Sequence, residues 1–574
     1  MRKPHHILAA AVFDREVDWL VAGAGAAGMT GAVVAHQLGG SVLVVEKEPV
    51  FGGTTAKSGG VAWIPANDQQ ADAGVNDSAE EAYAYIKGLV GESVADARVR
   101  AYAVRAGEML RFMMQHSHVS YTPLPEYMDY YENVPGYKSG GRSMDPAPFK
   151  LHKLGSEAGK IRIGHYDGLL LPFNVTVTEG HKLQAMDKSA YLLGARLLLR
   201  YLLDIPARIR RQRDNRMTLG TALVARLRRS LLDRDIPLWL DTPMRELLVA
   251  DGRVTGAVVE HEGKRIRIGA RRGVLLATGG FSHNEALRRQ YQQAPTGSRW
   301  TAAAPGATGD AITMGEDIGA RLAFMECAWW SPTYTIPDGR VLALIAGKSN
   351  PGSIMVNSLG KRFANEAQPY EDLVKAQYAS DAHGEGAIPC YLVCDAGFRS
   401  RYSLGHIKPG KLEDDSKIPA SHFDSGLLTR ADTLEELAVK LGMEPHSLPA
   451  TVAKFNEHAR LGQDPEFQRG ATVHDRYYAD PKVGPNPSLG PLETAPYYAL
   501  RCDPGDLDTK GGLDCDENAR VLRDNGLAIP GLYGAGNASA AAMGNTYPGA
   551  GATIGSAMTF AYLAAQHAFG GSND

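Results

Sequence analysis

The chain has 574 residues, of which 44% are hydrophobic and 64 are glycine, and its formal net charge is -3. That length calls for two or more lobes, and the charge gives no electrostatic case for nucleic acid as a partner. The five cysteines, Cys327, Cys390, Cys394, Cys502 and Cys515, show neither zinc-ligand nor C-x-x-C spacing; no metal site is expected, and a reduced, cytoplasmic setting is.

Residues 1–16 read as an arm before the first strand, with no long apolar core before Asp14 to suggest a cleaved signal. The apolar run from Val17 to Ala22 then enters a G-x-G-x-x-G turn at Gly23, Gly25 and Gly28, followed by a small-residue helix and a second apolar run from Ser41 to Glu46. This is the pattern of a dinucleotide cradle. Gly23 permits the tight turn, Gly25 the approach of a pyrophosphate, and Gly28 close helix–sheet packing, while the helix start supplies free N–H groups. Glu46 stands where an acid accepts hydrogen bonds from an adenosine ribose, which disfavours a 2′-phosphate. The segment Phe51 to Gly60 is too rich in glycine and hydroxyls for a helix or strand and is expected to run under the cofactor as a second nest.

Ser78 to Met114 carries helical apolar stripes. From Ser120 to Phe149 the periodicity fails, and Tyr121, Tyr127, Tyr130, Tyr131 and Tyr137 crowd among prolines and glycines, as fits either a pocket rim or a packed surface loop. Leu192 to Ile205 is apolar and is followed by Arg208, Arg210, Arg211, Arg213 and Arg216. It is too short to span a bilayer, and two readings stay open: a core helix with a basic end, or a helix lying on an anionic membrane surface. A helix over Gly220–Leu232 and short strands at 236–240, 244–249 and 254–260 follow. Gly273 to Gly280 then reads as a strand ending in a glycine turn, the return of the chain to the nucleotide sheet. Asp310 lies at the start of a helix running to Ala320, as a cap or beside an anion site.

Residues 321–496 form the expected second lobe. Trp329, Trp330 and Tyr334 are either core or cavity wall, a strand covers 354–357, and Phe467 to Leu489 reads as a long excursion on the surface or over a cleft. From 497 the chain is expected back in the first lobe, where Gly531 to Ser539 and Gly544 to Gly555 are glycine-rich turns before a helix over 556–566. Such a turn can offer N–H groups to a flavin carbonyl or an enolate oxygen.

Taken together, the N-terminal cradle, Gly52-Gly53-Thr54-Thr55-Ala56-Lys57-Ser58-Gly59-Gly60, Arg362-Phe363-Ala364-Asn365-Glu366-Ala367-Gln368-Pro369-Tyr370 and Asn545-Thr546-Tyr547-Pro548-Gly549-Ala550-Gly551 resemble the 3-ketosteroid Δ1-dehydrogenases, within the fumarate reductase and succinate dehydrogenase flavoprotein group. The resemblance covers nearly the whole chain. It implies an α/β protein: a Rossmann-like FAD-binding domain over 1–320 with an inserted helical segment at about 150–216, an α+β substrate or capping domain over 321–496, and a return at 497–574.

The resemblance further implies non-covalent FAD and a 3-ketosteroid substrate that loses hydride from C1 and a proton from C2. A quinone or other electron acceptor would complete the cycle. Tyr370 matches the family's base, Tyr130 its assistant, with the neighbouring Tyr131 left open, and Tyr547 with the Gly551 N–H matches its carbonyl-binding pair. A tyrosine base requires that a neighbouring phenol or dipole lower its pKa. The expected FAD contacts are Gly23, Gly25, Ala26, Ala27, Gly28, Glu46, Lys47, Thr54, Thr55, Ser58, Gly59, Gly60, Ala277, Thr278, Gly279, Asp310, Gly536, Asn537, Gly551, Ala552, Thr553 and Ile554. The insertion suggests tolerance of a C17 side chain. The alternatives are a 3-ketosteroid Δ4-(5α)-dehydrogenase and a fumarate-reductase-like flavoenzyme.

Overall fold

The computed structural model describes residues 13–570 except 166, 168–170, 185–186 and 210–212. The first twelve residues of the expected arm, and Arg210 and Arg211 of the basic run, thus lie outside the described residues.

Arg15–Ala22, Val42–Val45 and Leu238–Trp239 are parallel neighbours in an eight-stranded sheet. On the other side of Arg15–Ala22 lie Lys264–Leu276 and then Ala528–Gly534, again parallel. The sheet thus closes from three distant parts of the chain, as the apolar run ending at Gly280 suggested. The parallel strands are buried on both faces and read as unbroken apolar runs, the pattern expected where helices cover a parallel sheet. Ala26–Gln37, Leu219–Leu232 and Ala552–Phe569 cover one face, the last packed along the first, and Met244–Ala250, Arg253–His261 and Asp310–Glu316 cover the other.

The second lobe is built on a six-stranded sheet in which Tyr497–Thr509 is central, pairing antiparallel with Ala328–Thr335, Cys390–Asp395 and Leu428–Ala431. This corrects the boundary at 496: by strand pairing the chain leaves the cap sheet after Thr509, because the longest strand of that sheet comes last in sequence.

Two further expectations change. Gly53–Lys57 is a short helix, not an open nest, because Gly52 at φ 117° makes the turn and Ala56 is buried where this helix packs on Leu219–Leu232. Of the two readings of residues 467–489, on the surface or over a cleft, the first gives way: Arg469, His474, Asp475 and Ser488 are buried, and Arg469 donates to Glu366 Oε2 at 3.1 Å. Apolar periodicity could not show this, since the segment is held by buried polar bonds.

All five cysteines are buried and unpaired. Among the described residues there is no cluster of metal-ligating side chains, and no helix is long and apolar enough to cross a membrane.

Candidate active site

The nucleotide end is assembled by close backbone approach. At Gly23, φ is 106° and an added Cβ would stand 2.3 Å from Ala277 O, so only glycine lets the first turn meet the Ala277–Gly279 turn. At Gly28 a Cβ would come within 1.9 Å of Gly23 O. The helix that starts at Ala26 has Gly25 at its N-cap with no capping side chain, leaving N–H groups of the first turn for an anion. Thr55 Oγ1 accepts from Ala26 N–H at 3.1 Å, which brings the short Gly53–Lys57 helix against that end.

Glu46 is buried and accepts from Ala24 N–H at 2.8 Å and Glu48 N–H at 3.1 Å. Its carboxylate therefore braces the glycine turn, and burial pushes its pKa up against those two bonds. Lys47 donates to Asp310 Oδ2 at 2.8 Å and to Thr308 Oγ1 at 2.5 Å. Asp310 begins its helix behind Gly309, and its carboxylate accepts from Lys47 and, at 2.6 Å, from Thr308 Oγ1. Thr54 Oγ1 accepts from Ala304 N–H at 3.1 Å, Ser58 Oγ accepts from Gly60 N–H at 3.0 Å, and a Cβ at Gly59 would meet only Val61 Cγ2, at 4.0 Å.

Thr278 Oγ1 is buried and has no hydrogen-bond partner among the described residues, the mark of a group kept for a ligand. Gly279 has φ 80°, and Gly536, with φ 65°, stands against Ala27 with only 3.3 Å to spare for a Cβ. Asn537 donates to Asp508 Oδ2 and accepts from Trp329 Nε1, both at 3.0 Å. Ala552, Thr553 and Ile554 form the first turn of the last long helix, whose N-cap, Gly551 at φ 93°, again lacks a capping side chain. The residues expected at FAD thus gather around two uncapped helix starts and a set of glycine turns, as a flat, phosphate-bearing cofactor requires.

Beside this cradle the three tyrosines meet. Tyr130, Tyr370 and Tyr547 are each buried. The rings of Tyr370 and Tyr547 are 5.2 Å apart, and Tyr130 lies 5.8 Å from each. Tyr130 Oη donates to Tyr370 Oη at 3.3 Å. The Tyr547 hydroxyl is approached by the Gly551 backbone N–H and lies 3.5 Å from Thr553 Oγ1.

Local bonds explain the meeting. Tyr130 N–H donates to Pro548 O at 3.0 Å, tying the aromatic loop to the glycine-rich loop that carries Tyr547. Tyr370 opens the helix Tyr370–Ala382 directly after Pro369. Tyr131 points elsewhere, its hydroxyl donating to Asp372 Oδ2 at 3.0 Å, so it is Tyr130 that faces Tyr370. At Gly551 a Cβ would lie 2.4 Å from Val61 O, which reserves that approach for glycine.

Burial, with repulsion from Tyr547 and Tyr127, holds the Tyr370 phenol well above its ordinary pKa, against the downward pull of the Tyr130 bond. The expected lowering is therefore not present in the protein alone. Sequence reasoning also missed His474, whose ring lies 4.7 Å from that of Tyr130 and which burial drives down to about 3, so it is neutral there. It missed Tyr477 and Tyr478 as well: Tyr477 stacks on Tyr127 at 4.6 Å, and Tyr478 shares a hydroxyl contact with Tyr127. The paired tyrosines in the 467–489 excursion were the available signal. Trp329, buried in the core, lies edge-on to Tyr547 at 5.0 Å.

A glycine-lined cradle beside a dry cluster of phenols defines a flavoprotein with a site for an uncharged substrate, and residues 18–554 match the FAD binding domain family. FAD is the cofactor of this chain. It is 43% identical to a 3-oxosteroid 1-dehydrogenase of Mycobacterium tuberculosis, over 96% of this chain and 98% of the relative. A solved 3-ketosteroid Δ1-dehydrogenase of Sterolibacterium denitrificans, in complex with 1,4-androstadiene-3,17-dione, superposes with a TM-score of 0.93 at 42% identity, covering 97% of this chain and all of that one. A 4-oxocyclohexanecarboxylate 2-dehydrogenase of Sinomonas cyclohexanicum is 35% identical over 95% of this chain and 92% of its own length. The chain belongs to the 3-oxosteroid 1-dehydrogenase family of FAD-binding oxidoreductases.

Proposed function

We propose that the protein is an FAD-dependent dehydrogenase that introduces the C1–C2 double bond into 3-ketosteroids. The convergence of Tyr130, Tyr370, Tyr547 and the Gly551 N–H carries this reading. Tyr547 and Gly551 offer two donors to one oxygen, the arrangement that holds a ketone and stabilises the enolate charge that develops as C2 loses its proton. Tyr370, across the gap from Tyr547, takes that proton, and Tyr130 donates to Tyr370 and steadies its oxygen. Bound FAD, held without a covalent link, supplies at N5 the acceptor for the hydride leaving C1. The surrounding aromatic walls exclude water from the developing charge.

Anaerobic mixing with androst-4-ene-3,17-dione tests the reading: the flavin absorbance should bleach within one turnover, whereas full FAD occupancy without bleaching would overturn it. A small oxo-acid of the kind named for the Sinomonas relative would need a cation at its carboxylate. Lys510 and Lys375, beside the tyrosines, are instead both committed to Glu371, which favours the uncharged steroid.

The partners beyond the steroid are a quinone-type electron acceptor and the surface of an anionic bilayer. In the Lys188–Leu203 helix only Ala190 and Leu197 are buried. Leu192, Leu199, Leu202 and Leu203, with Ile205 and Ile209 beyond, are 54–76% exposed, too large an apolar face for an ordinary surface helix. Lys188, Arg196, Arg200 and Arg208 accompany them, a composition suited to the headgroup boundary. The preceding helix, Val177–Gln184, reaches the aromatic wall through His181, whose Nδ1 is 2.9 Å from Tyr477 Oη. The apolar face is therefore linked to the site that a lipid-dissolved steroid must enter. The protein should sediment with phosphatidylglycerol vesicles and cease to do so when Leu199 and Leu203 are both replaced by Glu. Equal sedimentation of the double variant would exclude this face.

A further inference from the structure

Three charged side chains that the chemistry above leaves unused lie directly behind the tyrosines. Lys510 is fully buried; its Nζ donates to Glu371 Oε1 at 2.8 Å and to Thr546 O at 2.7 Å, and it sits 4.6 Å from the centre of the Trp329 ring. Lys375 repeats the pattern from the other side, with Nζ 2.9 Å from Glu371 Oε1 and donating to Asn545 O at 2.8 Å. Glu371 follows Tyr370 in the chain, and Asn545 and Thr546 immediately precede Tyr547. Two ammonium groups therefore join one carboxylate at the start of the Tyr370 helix to two successive carbonyls of the Tyr547 loop.

Stability alone does not account for this arrangement. Burying a lysine and a glutamate costs desolvation that their attraction does little more than offset, and an apolar pair of similar volume would commonly serve as well. What the bridges fix is distance and orientation. Among the described residues no backbone hydrogen bond joins the helix to the glycine-rich loop, so the distance between their two tyrosines rests on side chains. Trp329 adds a second restraint on the same loop, since it contacts both the Lys510 ammonium and the Tyr547 ring and is itself anchored to Asn537.

We propose that Lys510, with Glu371 and Lys375, is a positioning clamp that sets the gap between Tyr370 and Tyr547, and with it the alignment of the steroid carbonyl and C2. The assignment rests on the Δ1 reading, because it gives that gap a substrate. The clamp acts on the rate of bond breaking and leaves steroid affinity, which comes from the apolar walls, nearly intact.

Stopped-flow reduction of the holoenzyme by androst-4-ene-3,17-dione separates the rate of bleaching from steroid affinity in Lys510→Met, Lys510→Arg and Lys375→Met. A misplacement on the order of an ångström predicts a roughly 100-fold slower bleaching for Lys510→Met, about 10-fold for Lys375→Met, and steroid affinity changed by less than about threefold. Lys510→Arg, which keeps the charge and donors, should recover most of the rate. At saturating 1,4-dien-3-one and full FAD occupancy, the absorption of the bound steroid should differ between Lys510→Met and the parent, since it reports the donors on its carbonyl; the retained FAD shows that the fold is intact. Unchanged bleaching in both methionine variants, or a loss that only follows lost FAD, would overturn the clamp. Should Lys510→Met fail to fold, Lys375→Met decides, because Lys375 is 35% exposed and its replacement is expected to leave the fold intact; an unchanged rate there overturns the proposal. A parent enzyme that does not bleach would instead overturn the Δ1 reading, and the clamp with it.

Discussion

Phenylalanine in place of Tyr370 is expected to slow anaerobic flavin reduction by ~10²–10⁴-fold, the range for loss of a positioned general base, while FAD binding persists. The ring keeps its packing against Tyr130 and Tyr547, so only the acceptor oxygen is lost. The pH dependence gives a second check. Burial raises the Tyr370 pKa, so the neutral phenol predominates near neutrality and the phenolate fraction grows as pH rises. Reduction by the parent should therefore accelerate with pH, and this slope should vanish in the phenylalanine variant. A variant that reduces at nearly the parent rate would remove Tyr370 from the role of base.

Phenylalanine in place of Tyr547 should cost ~10²–10³-fold, the loss found when one donor to a developing oxyanion is removed. Here kcat and kcat/KM should fall together, because the bond strengthens as charge moves onto the ketone oxygen. The Gly551 N–H remains, which is why the loss is expected to be partial. A rise in KM with kcat unchanged would mean that Tyr547 only helps to bind the steroid.

The parts of this site legible in the sequence are those where one residue type answers one local demand. Gly23 and Gly28 announce a turn with no room for a Cβ, and the structure places carbonyl oxygens where those atoms would be. The strand ending before Gly279 returns to the first sheet because its apolar run had to be covered on both faces. The Tyr497–Thr509 strand was hidden for the opposite reason: Asp503, Pro504, Gly505, Asp506 and Asp508 are poor strand formers, and antiparallel pairing with Ala328–Thr335 holds this half of the strand extended. The Gly53–Lys57 helix depends in the same way on a packing partner more than 160 residues away. Tyr130 and Tyr131 are equivalent in composition; the bond from Tyr130 N–H to Pro548 O and the turn of Tyr131 toward Asp372 distinguish them. Nothing in the sequence around Lys510 marks it as buried, since its partner is a carboxylate far away in the chain.

The central claim, that this site breaks the C1–H and C2–H bonds of a 3-ketosteroid, is tested most directly with androst-4-ene-3,17-dione labelled with deuterium at the 1α and 2β positions. One anaerobic turnover, followed by product identification by mass and NMR, reads both bonds at once. The account predicts a 1,4-dien-3-one that has lost both labels, with the 2β deuterium released to solvent through Tyr370. A product that keeps both labels, with its new double bond elsewhere in the ring system, would contradict it.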